Sequence, residues 1–276
     1  MVVHSLSDGT IALDGGAMFG VVPRTLWQRG LKADDKHRVH LAMRSWLVVD
    51  GERRILVDDG AGDDWEALEA DRFGLSLTAP RLEASLAAVG LGPDDITDVV
   101  LTHLHFDHAG GTGTTQAGLK TLRFPKATHW LQRAHWDWAH HPSDKDAGSF
   151  RRADLELLER SGKLELLDGP TELVPGFHLF LSDGHTRALQ LVRLSDGGQN
   201  AFFVGDLIPT TAHLRPAWVA AYDLEPLKVI EEKKALLAKA FAQRAWLFFQ
   251  HDPKVECCTV VGDGAGGAQL GEVSAW

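Results

Sequence analysis

The sequence predicts a layered domain of mixed strands and helices, of the α/β or α+β class. Short apolar runs have the length of buried strands, and segments with helical spacing of apolar residues lie between some of them. The chain has 276 residues, of which 44% are hydrophobic, so it has enough apolar material for a sizeable core. We therefore expect a single domain over residues 1–276.

The predicted strands are six short apolar runs: residues 45–49, 54–58, 98–101, 176–181, 201–204 and 245–249. Residues 81–89 are a predicted helix because they lie between Pro80 and Gly90. Residues 226–241 are the clearest helix. An apolar stripe is predicted at Leu227, Ile230, Leu237 and Phe241, and a face mostly turned to water at Glu231, Glu232, Lys233 and Lys234.

The composition changes between residues 126 and 152, where tryptophans and histidines are concentrated. The segment contains Trp130, Trp136, Trp138, His129, His135, His140 and His141. We interpret it as a helical insertion. Its tryptophans are expected to pack against the body of the domain, and most of its histidines are expected to titrate in water.

The formal net charge of −10 argues against a nucleic-acid or anionic-membrane partner, because an acidic surface repels phosphate groups. No window approaches the roughly 20 apolar residues that span a bilayer. The cysteines, Cys257 and Cys258, are adjacent, which disfavours a disulfide between them. These observations predict a cytoplasmic protein.

Four possible metal ligands follow the predicted strand at 98–101 within six residues. His103 and His105 are two positions apart, so they share one face of an extended segment, and Asp107 and His108 lie in the turn beyond. A single pair of histidines is a weak signal, but four candidate ligands at this spacing indicate a metal site.

Three further candidates occur in the same context. His185, Asp206 and His251 each lie just past a predicted strand. Ligands at the ends of strands in one sheet can converge while the sheet fixes their geometry.

The ordered set His103-x-His105-x-Asp107-His108, His185, Asp206 and His251 resembles the complete ligand set of the metallo-β-lactamase superfamily. This resemblance implies a four-layer αβ/βα sandwich of two mixed β-sheets flanked by helices. It also implies that one ion takes His103, His105 and His185, that the other takes Asp107, His108 and His251, and that Asp206 bridges them. Asp58 resembles the family's buried aspartate that orients a ligand histidine, although an aspartate that caps a turn would look the same.

Five imidazoles and two carboxylates suit two divalent ions. Zn²⁺ is favoured, while Mn²⁺, Fe²⁺ and Co²⁺ accept the same donors. Two ions about 3.5–4 Å apart can share a water and lower its pKa toward about 7, which supplies a bridging hydroxide at neutral pH. Asp107 is expected to orient that hydroxide and to pass a proton to the leaving group.

The amino-acid sequence of residues 102–111 is similar to that of quorum-quenching acyl-homoserine lactonases. Residues 13–23 and 205–210 resemble the YtnP-like lactonases and, more distantly, methyl parathion hydrolase. The leading hypothesis is therefore hydrolysis of acyl-homoserine lactones. The alternatives are a promiscuous carboxylesterase or phosphotriesterase of the same fold, and a metal-binding protein without turnover. The resemblance also makes a homodimer plausible.

Many relatives carry a tyrosine three residues after the bridging aspartate, where this chain has Pro209. His213 or the metals alone are then expected to polarise the substrate carbonyl. Candidates for an apolar substrate pocket flank the motifs or lie in loops near them, although residues of this kind, taken one by one, more often serve in ordinary packing. They are Met18, Phe19, Trp27, Phe106, Trp136 and Tyr222.

Overall fold

The structure is a computed structural model that describes residues 1–76, 81–262 and 268–274. Pro80 and most of the glycine-rich stretch after residue 262 lie outside these ranges. The backbone divides into two compact units. One consists of Met1–Ile11 and Met43–Asp168, and the other of Ala12–Ala42 and Gly169–Trp276. We call them unit 1 and unit 2. The expectation of one domain over residues 1–276 stays a prediction.

The chain forms fifteen strands and eight α-helices in the residues that the structure describes. In order, the strands are Val2–Asp14 (β1), Arg38–Asp50 (β2), Arg53–Val57 (β3), Asp98–Val100 (β4), Gly113–Gln116 (β5), Leu119–Leu122 (β6), Thr128–Gln132 (β7), Leu164–Leu167 (β8), Thr171–Val174 (β9), Phe177–Ser182 (β10), Leu189–Asp196 (β11), Gln199–Phe203 (β12), Trp246–Phe248 (β13), Cys257–Gly262 (β14) and Ala268–Ser274 (β15). The α-helices are Gly15–Phe19 (α1), Arg24–Trp27 (α2), Ala67–Arg72 (α3), Leu82–Ala88 (α4), Phe106–Ala109 (α5), Arg133–His140 (α6), Arg152–Ser161 (α7) and Pro226–Gln243 (α8).

Unit 1 contains most of a six-stranded mixed sheet with the order β1-β2-β3-β4-β7-β8. Strand β2 pairs antiparallel with β3, whereas β3, β4, β7 and β8 pair in parallel. Strands β5 and β6 form a separate hairpin. The core includes Leu56 and Val99 from the sheet and Leu86 and Leu158 from helices, all fully buried. The sheet thus places the carboxyl ends of β3 and β4 side by side.

Unit 2 contains a seven-stranded mixed sheet with the order β15-β14-β13-β12-β11-β10-β9. The β12–β13 pair is parallel, and the other pairs are antiparallel. Helix α8 packs Leu237 and Ala240 into the same core as Phe202 and Leu247 of the sheet. Two mixed sheets with helices packed on them confirm the predicted fold class.

Helix α8 begins at Pro226, as predicted, but its buried face differs from the predicted one. Leu227 is 77% exposed and Phe241 is 54% exposed, whereas Lys233 is fully buried. The Lys233 ammonium donates to the carbonyl of Trp218 at 2.5 Å. This hydrogen bond lets the lysine lie on the inner face, so the apolar stripe is displaced around the helix axis.

The segment 126–152 is helical only in part. Residues 128–132 are β7, an inner strand of the six-stranded sheet, and α6 follows. His129 and His135 are fully buried rather than solvated, while His140 and His141 are exposed as expected. The strand was missed because it is only five residues long and has just two adjacent apolar residues, Trp130 and Leu131, so it shows neither an apolar run nor an alternating pattern.

Within the described ranges, no helix combines the length and the apolarity needed to cross a membrane. Cys257 and Cys258 are buried free thiols on β14, in agreement with the prediction that they do not pair. Burial raises the pKa of the Cys258 thiol to about 12, so this side chain stays protonated.

Candidate metal-binding residues

The first set of predicted ligands lies in unit 1, directly after β4. The rings of His103 and His105 have centroids 4.4 Å apart, and those of His103 and His108 are 4.0 Å apart. Asp107 and His108 lie on α5, with Asp107 Oδ2 3.7 Å from His108 Nε2. All four side chains are buried. This short stretch therefore gathers two pairs of possible ligands.

Asp58, the residue after β3, is fully buried and contacts Thr102 and His108. Its Oδ1 accepts from the Thr102 amide at 2.7 Å, and its Oδ2 accepts from the Thr102 hydroxyl at 2.8 Å. Asp58 Oδ2 also lies 3.0 Å from His108 Nδ1. An ionised carboxylate can only accept, so His108 Nδ1 carries the proton. This contact has the geometry expected of an aspartate that orients a ligand histidine.

Thr102 extends the same network to His103. Its hydroxyl has one proton, which it donates to Asp58, so its oxygen accepts from His103 Nδ1 at 3.0 Å. Both histidines therefore present Nε2 as the possible coordinating atom. Hydrogen bonding of the second ring nitrogen is the usual way in which proteins fix the tautomer of a metal-binding histidine.

His135 supports the backbone between the first two ligands. Its Nε2 accepts from the Leu104 amide at 2.8 Å, and the ring is fully buried. The chain then turns at Gly110 and Gly111. A side chain at Gly111 would collide with the carbonyl oxygen of Asp59, so only glycine fits this close approach.

The second set of predicted ligands lies in unit 2. His185 follows β10, Asp206 lies in a 3-10 turn after β12, and His251 follows β13. His185 Nε2 is 3.2 Å from Asp206 Oδ2, and His251 Nε2 is 3.1 Å from Asp206 Oδ1. One carboxylate thus faces two imidazoles, one with each oxygen.

Acceptors within unit 2 also hold the remaining ring nitrogens of these histidines. His185 Nδ1 lies 2.8 Å from Asp223 Oδ1, and His251 Nδ1 lies 2.9 Å from the carbonyl oxygen of Ala42. Because a carboxylate and a carbonyl only accept, both Nδ1 atoms carry protons. In the neutral rings, Nε2 and the Asp206 oxygens are then all acceptors.

Acceptors at 3.1–3.2 Å repel one another unless a proton or a cation lies between them. Imidazole nitrogens and carboxylate oxygens are the donors that Zn²⁺, Mn²⁺, Fe²⁺ and Co²⁺ accept. In His103, His108, His185 and His251, acceptors hold Nδ1 and leave Nε2 as the possible coordinating atom. The donor chemistry of each set therefore fits a divalent metal.

Three of the predicted pocket residues and His213 form a buried cluster in unit 2. Phe19 stacks between Trp27 and His213, with ring centroids at 5.2 Å and 4.9 Å. His213 Nε2 donates to the Met18 carbonyl at 2.9 Å, so His213 Nδ1 accepts from the Thr210 hydroxyl at 2.8 Å. Burial lowers the pKa of His213 to about 4. Both ring nitrogens are thus engaged within the cluster, and the catalytic role of His213 stays a prediction.

Phe106, which precedes the ligand Asp107, belongs to an aromatic cluster in unit 1. Its ring centroid lies 4.4 Å from that of Phe73 and 5.3 Å from that of Trp65. The Arg151 guanidinium lies over the Trp65 ring at 4.4 Å. Trp65 and Phe73 are partly exposed, so this cluster, defined by Trp65, Phe73 and Phe106, presents an apolar surface next to a predicted metal ligand.

The other two predicted pocket residues have different surroundings. Trp136 packs against the core of unit 1 and contacts the ring of His140 at 4.4 Å. Tyr222 is 37% exposed and precedes Asp223, the residue that holds His185. A role in substrate binding stays a prediction for both.

Sequence inspection missed the residues that support the ligands. Asp223 and the Ala42 carbonyl lie 38 and 209 positions from the histidines that they hold. Trp65 and Phe73 were missed because they lie outside any periodic segment. One signal was available: Asp223 directly follows Tyr222, a predicted pocket residue.

Comparison with known proteins gives a consistent result. Residues 44–251 match the family model for the metallo-beta-lactamase superfamily. An N-acyl homoserine lactonase from Bacillus cereus is 30% identical over 54% of this chain and 56% of the lactonase, so the chain spans about half the length of that relative. An N-acyl homoserine lactonase from Bacillus sp is 26% identical over 76% of this chain and 81% of that enzyme.

Two solved structures resemble almost the whole chain. A probable metal-dependent hydrolase from Staphylococcus aureus is 32% identical with a TM-score of 0.89, covering 99% of this chain and 98% of that one. AidC, a dizinc quorum-quenching lactonase in complex with the product N-hexanoyl-L-homoserine, is 25% identical with a TM-score of 0.82, covering 99% and 95%. The family match includes all seven predicted ligands and spans more than half of the chain. The chain belongs to the metallo-beta-lactamase superfamily.

Proposed function

We propose that this chain is a hydrolase that uses two divalent metal ions, with Zn²⁺ as the first candidate, to open lactones. The observation that carries the proposal is the hydrogen bonding of the ligand histidines, whose Nδ1 atoms are held by Asp58, Thr102, Asp223 and the Ala42 carbonyl. The proposed ligands are those predicted from the sequence: His103, His105 and His185 for one ion, Asp107, His108 and His251 for the other, and Asp206 for both.

Two bound ions would supply Lewis acidity and lower the pKa of water at the site. In our proposal, the Asp107 carboxylate accepts a proton from the attacking water and delivers it to the departing ring oxygen. The acyl carbon–oxygen bond of the ring breaks, a new carbon–oxygen bond to water forms, and the product is a hydroxy acid. Asp58 and Asp223 act as positioning residues, because they hold the rings of His108 and His185.

The aromatic cluster of Trp65, Phe73 and Phe106 supports a substrate with an apolar acyl chain. Phe106 is next to Asp107 in the chain, so an acyl chain on this surface would lie close to the reacting carbonyl. Two of the compared relatives are N-acyl homoserine lactonases, which supports an acyl-homoserine lactone as the substrate class. The net charge of −10 supports a small molecule over nucleic acid or an anionic membrane.

A cytoplasmic location and a homodimer remain further proposals. The buried free thiols of Cys257 and Cys258 are compatible with a reducing compartment. Size-exclusion chromatography with light scattering of the metal-loaded protein would measure the oligomeric state directly.

The test is a substrate panel offered to the metal-loaded protein, with acyl-homoserine lactones of short and long chain, an aryl ester and paraoxon. We expect the lactones to give the highest kcat/KM. Absence of lactone turnover would refute the lactonase proposal, and preference for the ester or for paraoxon would favour the corresponding alternative.

A matched pair of histidine variants separates the loss of a metal ligand from the loss of any histidine side chain. His105→Ala removes a proposed ligand, whereas His140→Ala removes an exposed histidine on α6. We expect the first variant to lose turnover and metal together and the second to retain both. Equal activity of the two variants would contradict the role of His105.

A further inference from the structure

We propose that unit 2 contains a second ligand site, for an organic anion with a carboxylate head and an apolar tail. A cavity of about 880 Å³ is lined by α2, by residues 211–218, by the loop after His251 and by β15. Its volume is in the range of small-molecule pockets. None of the described residues that line it is a proposed metal ligand. The proposal does not depend on lactone hydrolysis.

The charged side chains of the cavity are mostly cationic. Arg29, Arg215 and Lys254 line it, although the chain as a whole has a net charge of −10. In the parts of the chain that the structure describes, no carboxylate lies within ion-pair distance of these three side chains. The local potential therefore attracts an anion, in contrast to the average surface.

Asp252 is the acidic residue among the described lining residues, and its carboxylate accepts hydrogen bonds from nearby backbone amides and from one hydroxyl. Oδ2 accepts from the amide and the hydroxyl of Thr211 at 2.9 Å and 2.6 Å. Oδ1 accepts from the amides of Lys254 and Val255, both at 2.9 Å. Four donors hold this carboxylate in place, and its single charge does not balance three cations.

Several of the remaining lining side chains are apolar. Trp27 and Trp218 contribute aromatic rings, and the Arg215 guanidinium lies over the Trp218 ring at 4.7 Å. Leu26 and Leu270 are 39% and 44% exposed, which is high for leucine side chains in a folded domain. An alkyl or acyl chain would cover these leucines while its carboxylate contacts the cations.

Free fatty carboxylates and N-acyl amino acids both combine a carboxylate with an apolar tail. We therefore choose decanoate and N-decanoyl-glycine as probes and decanol as the uncharged control. Calorimetric titration of the metal-loaded enzyme measures their binding. Comparable binding of the two anions indicates recognition of a free carboxylate with an alkyl tail, and binding of N-decanoyl-glycine alone indicates recognition of the amide as well.

The variants are Arg215→Gln with Lys254→Gln as a double substitution and Lys234→Gln as the control. Lys234 is an exposed lysine of α8 outside the cavity lining. Each exposed cation contributes up to about 1 kcal/mol, or roughly fivefold in affinity, so the double variant should bind the anions more weakly by up to roughly 25-fold. The control variant should bind like the wild type.

Measuring the kinetics of hydrolysis alongside anion binding shows whether this site is separate from the metal site. We expect the double variant to retain the kcat and KM of the wild-type enzyme while it loses the binding of anions. Three results would each overturn the proposal: no binding of either anion to the wild type, equal binding of decanol and decanoate, or unchanged binding by the double variant. Because the binding assay needs no turnover, a failed lactone assay would leave its outcome unaffected.

Discussion

Asp223→Asn removes the charge that holds His185 while it keeps the size of the side chain. Asp223 is 3% exposed and receives two donors: Oδ1 faces His185 Nδ1 at 2.8 Å and Oδ2 accepts from the Ala220 amide at 2.9 Å. An asparagine has one acceptor oxygen, so its amide group would face one of these donors. The substitution therefore loses one buried hydrogen bond and the charge assistance of the other.

Removal of such a partner of a metal ligand lowers metal affinity by about 10- to 100-fold, which corresponds to about 1–3 kcal/mol. We expect a value near the upper end because the contact is short, charge-assisted and buried. Competition with a chromophoric zinc chelator measures the affinity. We also expect kcat at saturating metal to fall, because the ring of His185 is less well oriented.

Asp146→Asn is the matched control. Asp146 is 4% exposed, and it accepts from Trp138 Nε1 and from the amide and hydroxyl of Ser143, but it contacts no proposed ligand. Both substitutions should lower the melting temperature, whereas only Asp223→Asn should lower zinc affinity. If the two variants bind zinc equally well, the assignment of Asp223 as the residue that positions His185 is refuted.

Three further outcomes follow from other contacts. Phe73→Ala should lower kcat/KM for long-chain acyl lactones by roughly tenfold relative to short-chain ones, because it removes one wall of the aromatic cluster; equal losses for both chain lengths would contradict this role. Burial lowers the pKa of His129 to about 4 in the folded chain. Between about pH 6.5 and pH 4, this imidazole is therefore protonated in the unfolded chain but not in the folded one, so the free energy of unfolding falls as the pH drops through this range. His129→Leu should reduce that loss, by up to about 3 kcal/mol in denaturant titrations, and an unchanged pH dependence would count against it. Gly111→Ala should sharply reduce the yield of folded protein, because its methyl group meets the Asp59 carbonyl; normal expression and melting temperature would argue against that collision.

The elements that place the ligands were largely predictable. Strands β3, β4, β10, β12 and β13 lie within a residue or two of the predicted runs, because continuous apolar stretches are a strong signal for inner strands. The polar residues that follow these strands stand out from the apolar runs. The fold class and the candidate ligands could therefore be predicted from one sequence.

The surroundings of the ligands could not be predicted in the same way. The Ala42 carbonyl meets His251 across 209 positions, and a backbone carbonyl has no sequence signature. The charge of Lys233 predicts a position on the solvent-exposed face of α8, whereas a hydrogen bond to the Trp218 carbonyl allows the side chain to be buried. Such contacts depend on tertiary structure, which local periodicity does not encode.

Metal stoichiometry tests the central claim most directly. Mass spectrometric metal analysis of the zinc-loaded chain should give two ions per chain, and Asp206→Ala, which removes the carboxylate between His185 and His251, should lose metal and lactone turnover together. A wild-type chain that is fully active with one ion or none, or an Asp206→Ala variant with unchanged metal content and turnover, would contradict the two-metal account.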